Sequence, residues 1–206
     1  MKLGILADIH EAEDELRWAL GVLKDQGVDR LVFLGDLCER LIRLEECVAI
    51  LEEARVTGVW GNHDFGLCRD NPTPHDRQRF GERVLGFMGQ LQARLEIDGC
   101  LFTHVEPWLD PEKIEDLWYF EGPPVTPEQF ARIFGANGHP VMFVGHYHRW
   151  LHVTEGGIAP WTGDTPIVLD PDRRHLVVID AVFSGKCARF DTETRLLTPL
   201  DRSRPG

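Results

Sequence analysis

Basic residues are scarce in this chain. Lysine and arginine number 22 against 34 acidic residues, which leaves a formal net charge of −12. Such a balance excludes the broad basic surface that grips nucleic acid through its phosphates, so extended nucleic-acid binding is not expected. A small phosphorylated substrate held by metal ions stays compatible with it, because buried cations do not enter the count. Long apolar runs are absent too. No stretch approaches the ~20 residues that cross a bilayer as a helix, so no membrane partner is expected. The opening "MKLGILADIH" has no extended apolar region and no small-residue cleavage site, and no signal peptide is read there. Cysteines are few and scattered, at 38, 47, 68, 100 and 187. Their odd number and the lack of a CxxC exclude a disulfide framework and a zinc knuckle. Free thiols point to a reducing compartment, and a soluble cytoplasmic protein is expected. There is no internal repeat and no low-complexity tract, and no pattern fixes an oligomeric state.

What is present is an ordinary globular composition, 43% hydrophobic and 27% charged over 206 residues. That length suits one domain spanning 1–206. The first sixty residues alternate between short apolar runs and helical periodicity. Strands are predicted at 2–7, 30–35 and 56–61, and helices at 11–27 and 40–54. This order implies βαβ units with parallel pairing. Beyond it, "NPTP" (71–74) marks a turn, 80–95 reads as helical, and strands are expected at 99–104 and 140–145. The last third carries short β-like runs, "TPIVLD", "HLVVID" and "GKCARFD". The spacing of the last two suggests an antiparallel pair turned through Val182 to Gly185. The tail "DRSRPG" reads as frayed.

Each strong apolar run is followed at once by polar residues of one chemical kind. Asp8 and His10 follow the first, Asp36 the second, and "GNHD" (61–64) the third. His104 follows "CLFT", and His146 and His148 follow "VMFVG". In open α/β sheets ligands bind beyond the carboxyl ends of strands, so these side chains are expected to converge. In a strand, positions two apart share a face, which aims His146 and His148 at one place. Carboxylates, imidazoles and an amide oxygen suit divalent manganese, iron or zinc. Seven candidate ligands exceed one tetrahedral ion and suit two ions sharing a carboxylate. Such a pair can acidify a shared water and clamp phosphoryl oxygens.

In order, "DIH", "GD", "GNHD", a lone strand-end His and "GHYH" resemble the calcineurin-like metallophosphoesterases, over residues 8–148. The resemblance implies an α/β fold of two mixed β-sheets packed face to face and flanked by helices. It implies two divalent or trivalent ions, with manganese expected and iron, zinc or nickel as alternatives. It assigns Asp8, His10 and His148 to one ion, Asn62, His104 and His146 to the other, and Asp36 to both. A hydroxide shared by the ions would attack phosphorus in line. His63 would sit near the scissile oxygen as general acid, an imidazole being able to donate to an alkoxide near neutral pH. Asp64 would fix the loop behind it. Asn62 and Arg40 would contact the substrate phosphate.

"GDLCER" is similar to the G-D-x-x-D-R-G motif of the protein-phosphatase branch, in which the acid orients the catalytic His and the Arg binds phosphate. Glu39 and Arg40 hold those positions here. Glu replaces Asp, Leu41 replaces Gly, Trp60 stands where that branch has Arg, and "GNHD" replaces "GNHE". The chain is therefore placed in the wider family, as a phosphoesterase acting on monoesters or nucleotide-type substrates. A phosphodiesterase is the alternative, and a non-catalytic metal-binding scaffold is the reading from another class. His75, His139, His152 and His175 read as surface or structural, with His152 closest to the site motifs. Cys38 reads as packing. The long insertion 105–139 reads as local packing of its aromatics, with a substrate lid as the alternative.

Overall fold

The computed structural model describes residues 1–68 and 72–204; Asn71 of the "NPTP" turn and the last two residues of the tail lie outside them. Two six-stranded mixed sheets form the body. In chain order the elements are β1 (Lys2–Leu6), α1 (Glu13–Asp25), β2 (Arg30–Phe33), α2 (Leu44–Glu53), β3 (Thr57–Gly58), α3 (Phe65–Cys68), α4 (Pro74–Arg79), α5 (Glu82–Met88), β4 (Leu95–Ile97) and β5 (Cys100–Phe102). They continue with α6 (Ile114–Leu117), α7 (Pro127–Gly135), β6 (Val141–Val144), β7 (Leu151–Thr154), β8 (Gly157–Ile158), β9 (Ile167–Val168), β10 (His175–Val178), β11 (Lys186–Asp191) and β12 (Leu196–Asp201). The first sheet runs β3-β2-β1-β11-β12-β9 and the second β4-β5-β6-β10-β7-β8.

Alternation along the strands builds the layers. Ile5 and Val32 point into a core between the sheets, where they meet Phe102, Phe143 and Val177. Their neighbours Leu6 and Phe33 point outward, onto Leu16 and Leu23 of α1 and Val48 and Leu51 of α2. Met142 and Leu176 cover the outer face of the second sheet together with Ile133 and Phe134 of α7. Successive side chains on opposite faces make this possible. Local signals agree. Glu13, Asp14 and Glu15 occupy the first turn of α1, where the helix dipole favours anions. Thr126 and Gln129 close a capping box on α7.

Parallel pairs sit at the heart of each sheet. β1 pairs β2, and β2 pairs β3; β6 lies between β5 and β10, parallel to both. The carboxyl ends of β1, β2, β3, β5 and β6 therefore supply one edge of the sandwich.

Several expectations are corrected. The runs at 175–180 and 185–191 do not pair. β10 belongs to the second sheet and β11 to the first, and a 3-10 turn over Val182–Ser184 carries the chain between sheets. Val182 N–H donates to Ala7 O at 2.8 Å, which docks that turn on the end of β1. The second helix starts at Leu44 instead of residue 40, because Leu41 adopts a left-handed φ of 59°. The helix expected over 80–95 ends at Met88, and β4 follows from Leu95. The tail is tied down as far as described: Asp201 ends β12 and pairs with Lys186, and Arg202 reaches Glu15 at 3.1 Å. No described helix is long and apolar enough to cross a membrane.

Candidate metal centre

Seven side chains from both sheets meet beyond these strand ends. Asp8 and His10 follow β1, Asp36 follows β2, and Asn62 follows β3. His104 follows β5, and His146 and His148 follow β6. Asp8, His10, Asp36 and His148 each offer a ligand atom, all mutually within 4.8 Å, and Asp36, His104 and His146 form a second such group. Asp36 belongs to both. Asn62 joins the second group, its Oδ1 lying 2.9 Å from His104 Nε2 and 3.1 Å from His146 Nδ1.

The backbone is bent hard to achieve this. Asp8, His10, Asp36, His146 and His148 all have φ between 46° and 68°. Such left-handed residues cost on the order of 1–3 kcal/mol each and cluster where function demands them. His146 and His148 lie past the end of β6 and do not share a strand face. His148 reaches Asp8 at 3.4 Å, while His146 turns to Asn62. Glycine makes room for the carboxylates. A Cβ on Gly61 would collide with the Asp36 carboxylate, and one on Gly145 would come within 2.9 Å of Asp8 Oδ2.

Supporting hydrogen bonds fix the ligands. His104 Nδ1 lies 2.7 Å from Leu34 O, a bond from the second sheet to the first that makes Nδ1 the protonated nitrogen. His63 N–H donates to Asp36 Oδ1 at 3.0 Å. Buried Asp64 accepts N–H bonds from Asp36, Leu37, Cys38 and Gly61 at 2.7 to 3.1 Å, joining the "GD" and "GNHD" loops. Burial and the nearby Asp36 charge push the Asp64 pKa up, against the pull of those donors.

Residues present fit a pair of cations. The neutral His104 tautomer turns its Nε2 lone pair toward Asn62 Oδ1 and, at 3.4 Å, toward Asp36 Oδ2. Acceptors that face one another call for a positive charge between them. The same demand appears in the titration. Burial opposes a charge on His104, yet Asp36 beside it outweighs this and lifts its pKa to about 9. Burial also resists ionisation of Asp36, and His104 more than reverses that, so its pKa is lowered. The ion-pair contacts of Asp8 and Asp36 among the described residues are all to histidines.

His63 stands at the mouth with its side chain 30% exposed. Glu39 Oε2 lies 3.7 Å from its Nδ1 and 3.1 Å from Nδ1 of His10. The latter approach is outside hydrogen-bond geometry, so it is an electrostatic contact. Arg40 is exposed beside Glu39, in the turn that precedes α2. Trp60 is buried and donates to Pro111 O at 2.9 Å, anchoring the start of the insertion. Burial pushes the Cys38 thiol well above its usual range, in keeping with a packing role.

Two features escape the sequence reading. Glu11 accepts four backbone N–H bonds, from Glu39, Leu41, Ile42 and Arg43, at 2.6 to 2.9 Å, and so clamps the loop that carries Glu39. Its acid directly after "DIH" is the only hint. Phe183 packs edge-on to His10 and His148, from a turn that the sequence suggests as a hairpin connection, with nothing to aim it at the centre. His152 and His175 lie away from the centre as a buried stacked pair, joined by a 2.8 Å bond.

Residues 1–170 match the family model for the calcineurin-like phosphoesterase superfamily domain. The chain belongs to that superfamily. Its fold is similar to that of a metallophosphoesterase from Sphaerobacter thermophilus, at 24% identity and a TM-score of 0.75, covering 97% of this chain and 87% of that one. It is also similar to an archaeal phosphodiesterase, at 14% identity and a TM-score of 0.55, covering 97% and 99%. An uncharacterized protein of Methanocaldococcus jannaschii is 24% identical over 191 residues, 85% of this chain and 73% of that protein. Membership gives this superfamily member a metallophosphoesterase frame, with candidate metal ligands in place on the strand ends.

Proposed function

We propose that the protein hydrolyses small phosphate esters, monoesters or nucleotide-type substrates, with two divalent or trivalent ions, of which manganese is the first expectation. The observation that carries this is Asp36, which stands in both ligand groups. Asp8, His10 and His148 with Asp36 would hold one ion; Asn62, His104 and His146 with Asp36 would hold the other. When bound, the ions supply positive charge for the phosphoryl oxygens and acidify water. The chain's own residues do the rest. The His63 N–H bond holds the Asp36 carboxylate between the two ligand groups, where it would serve both ions. The Leu34 carbonyl keeps the His104 Nε2 lone pair free. Asn62 and Arg40 contact the substrate phosphate. The His63 imidazole donates a proton to the departing oxygen, with Glu39 orienting it. Asp64 acts through the backbone of both loops.

Elemental analysis of the purified protein is expected to give two metals per chain, and Asp36→Asn to give fewer than one with loss of turnover. Side-by-side assays with p-nitrophenyl phosphate and bis-p-nitrophenyl phosphate under added manganese separate monoester from diester hydrolysis. A protein that carries two ions and cleaves neither ester would overturn the enzymatic reading in favour of a scaffold.

A further inference from the structure

The mouth of the metal centre is edged by aromatic rings that the cores do not use. Trp118, Phe120 and Phe183 are 55%, 52% and 40% exposed. Packed aromatic side chains each remove roughly 150–250 Å² from water, so three half-bare rings in one place forgo a large hydrophobic gain. Each rests on an imidazole of the site. Trp118 lies 5.2 Å from His63, Phe120 5.5 Å from His146, and Phe183 5.4 Å from His10 and 5.0 Å from His148, centroid to centroid.

These rings are held in place. Glu121 accepts from the Tyr119 hydroxyl at 2.8 Å and from Gln129 at 3.1 Å, and pairs with Arg132, tying the strand of chain 118–121 to α7. Tyr119 packs edge-on to Trp108, and Phe120 edge-on to Tyr147. Phe183 is fixed by its N–H bond to Asp8 O at 3.3 Å. The insertion is therefore two things. α7 covers the second sheet, as packing, while Trp118 and Phe120 face the centre.

We infer that Trp118, Phe120 and Phe183 form a subsite for a planar aromatic ring carried by the esterified alcohol. The preferred substrates are phosphate esters bearing a nucleobase or an aryl group. This deepens the phosphoester reading and rests on it. Stacking on a neutral ring needs no cationic side chain, which suits a chain of net charge −12.

The test holds the leaving group constant and changes only the ring. Adenosine 5′-monophosphate and ribose 5-phosphate share a primary alkoxide and a phosphate of equal charge. The manganese-loaded protein should favour the nucleotide in kcat/KM by roughly 10- to 100-fold, the range that stacking of one base supplies. Benzyl phosphate against cyclohexylmethyl phosphate puts the same question for an aryl group, and a preference in either pair supports the subsite. Trp118→Leu and Phe183→Leu should each bring the preferred ratio toward one. Adenosine alone should quench tryptophan emission in the native protein and fail to do so in Trp118→Leu. If both ratios are near one while the esters are cleaved, the subsite is overturned and the phosphoester reading survives. If no ester is cleaved, the phosphoester reading fails and takes the subsite with it. A dimer that Trp118→Leu dissociates in sedimentation, with ratios unchanged, would make the rings a contact between copies and overturn the subsite.

Discussion

At the scale of single residues, His63 and Glu11 carry the sharpest expectations. His63 is bound to the centre by its backbone, while its ring packs edge-on to His10 at 4.9 Å and lies 3.7 Å from Glu39, so the side chain can be removed without deleting a ligand atom. His63→Ala should keep its metals by elemental analysis and lose ~10²- to 10⁴-fold in turnover, the usual contribution of a general acid. The loss should be greatest for alkyl esters and least for p-nitrophenyl esters; equal loss on both would remove the proton-donor role. Glu11 is a different case. Burial raises its pKa and four N–H donors more than compensate, leaving it below the usual carboxylate range. Glu11→Ala strands those donors at a part-buried turn, at ~1–3 kcal/mol or more. Urea unfolding should register the loss, and hydrogen exchange should quicken at residues 39–43. Glu11→Gln should recover part of both.

At the scale of elements, β7 and β10 are linked by the buried pair His152 and His175. His175 Nε2 donates to Asp170 O at 2.9 Å, which leaves its Nδ1 to accept from His152 Nε2 at 2.8 Å. Both rings are neutral in this arrangement. Burial, reinforced by His175, holds the His152 pKa down at about 4, and burial lowers that of His175. Unfolded histidine takes up a proton below ~6.5. Between that pH and about 4 the unfolded chain binds more protons, so stability is full above the window and declines as pH falls through it. Urea midpoints of the metal-free protein at pH 7.5, 6 and 5 should drop accordingly, and the drop should be smaller in His152→Gln. Elements also differ in how well the sequence announces them. The seven candidate ligands are readable because each follows an apolar run at a strand end. Strands β4, β7, β8 and β12 are not, being short or lying in segments with little alternation. The pairing of 175–180 with 185–191 fails for another reason. A four-residue gap fits a hairpin, and only the bonds from Val182 and Phe183 to the end of β1 reveal a crossing between sheets. Arg40 and Glu39 look like a helix start, yet Glu11 holds them in a turn that no local pattern encodes.

At the scale of the whole molecule, the strands after residue 170 lie inside the sheets. β10 separates β6 from β7, and β11 separates β1 from β12. The family match ends at residue 170, but a chain cut there should not fold. It would leave β1 and β6 each with one bare edge and Ala188, Phe190 and Val177 missing from the core between the sheets. We expect the truncated chain to be insoluble or to lack near-ultraviolet dichroism. In the full chain, the shared core and the bond from His104 to Leu34 couple the two sheets. We propose that residues 1–206 act as one domain, so tryptophan fluorescence and far-ultraviolet dichroism should report a single urea transition. Two separate transitions would split the chain into independent units. The same strand order sets a schedule at the ribosome. Asp8 is made 179 residues ahead of Cys187, so at ~5–20 residues per second the first ligand waits on the order of 10–40 s for the strand that finally flanks it. Ion capture at this centre would consequently wait until β11 has been made, however early its first ligand appears.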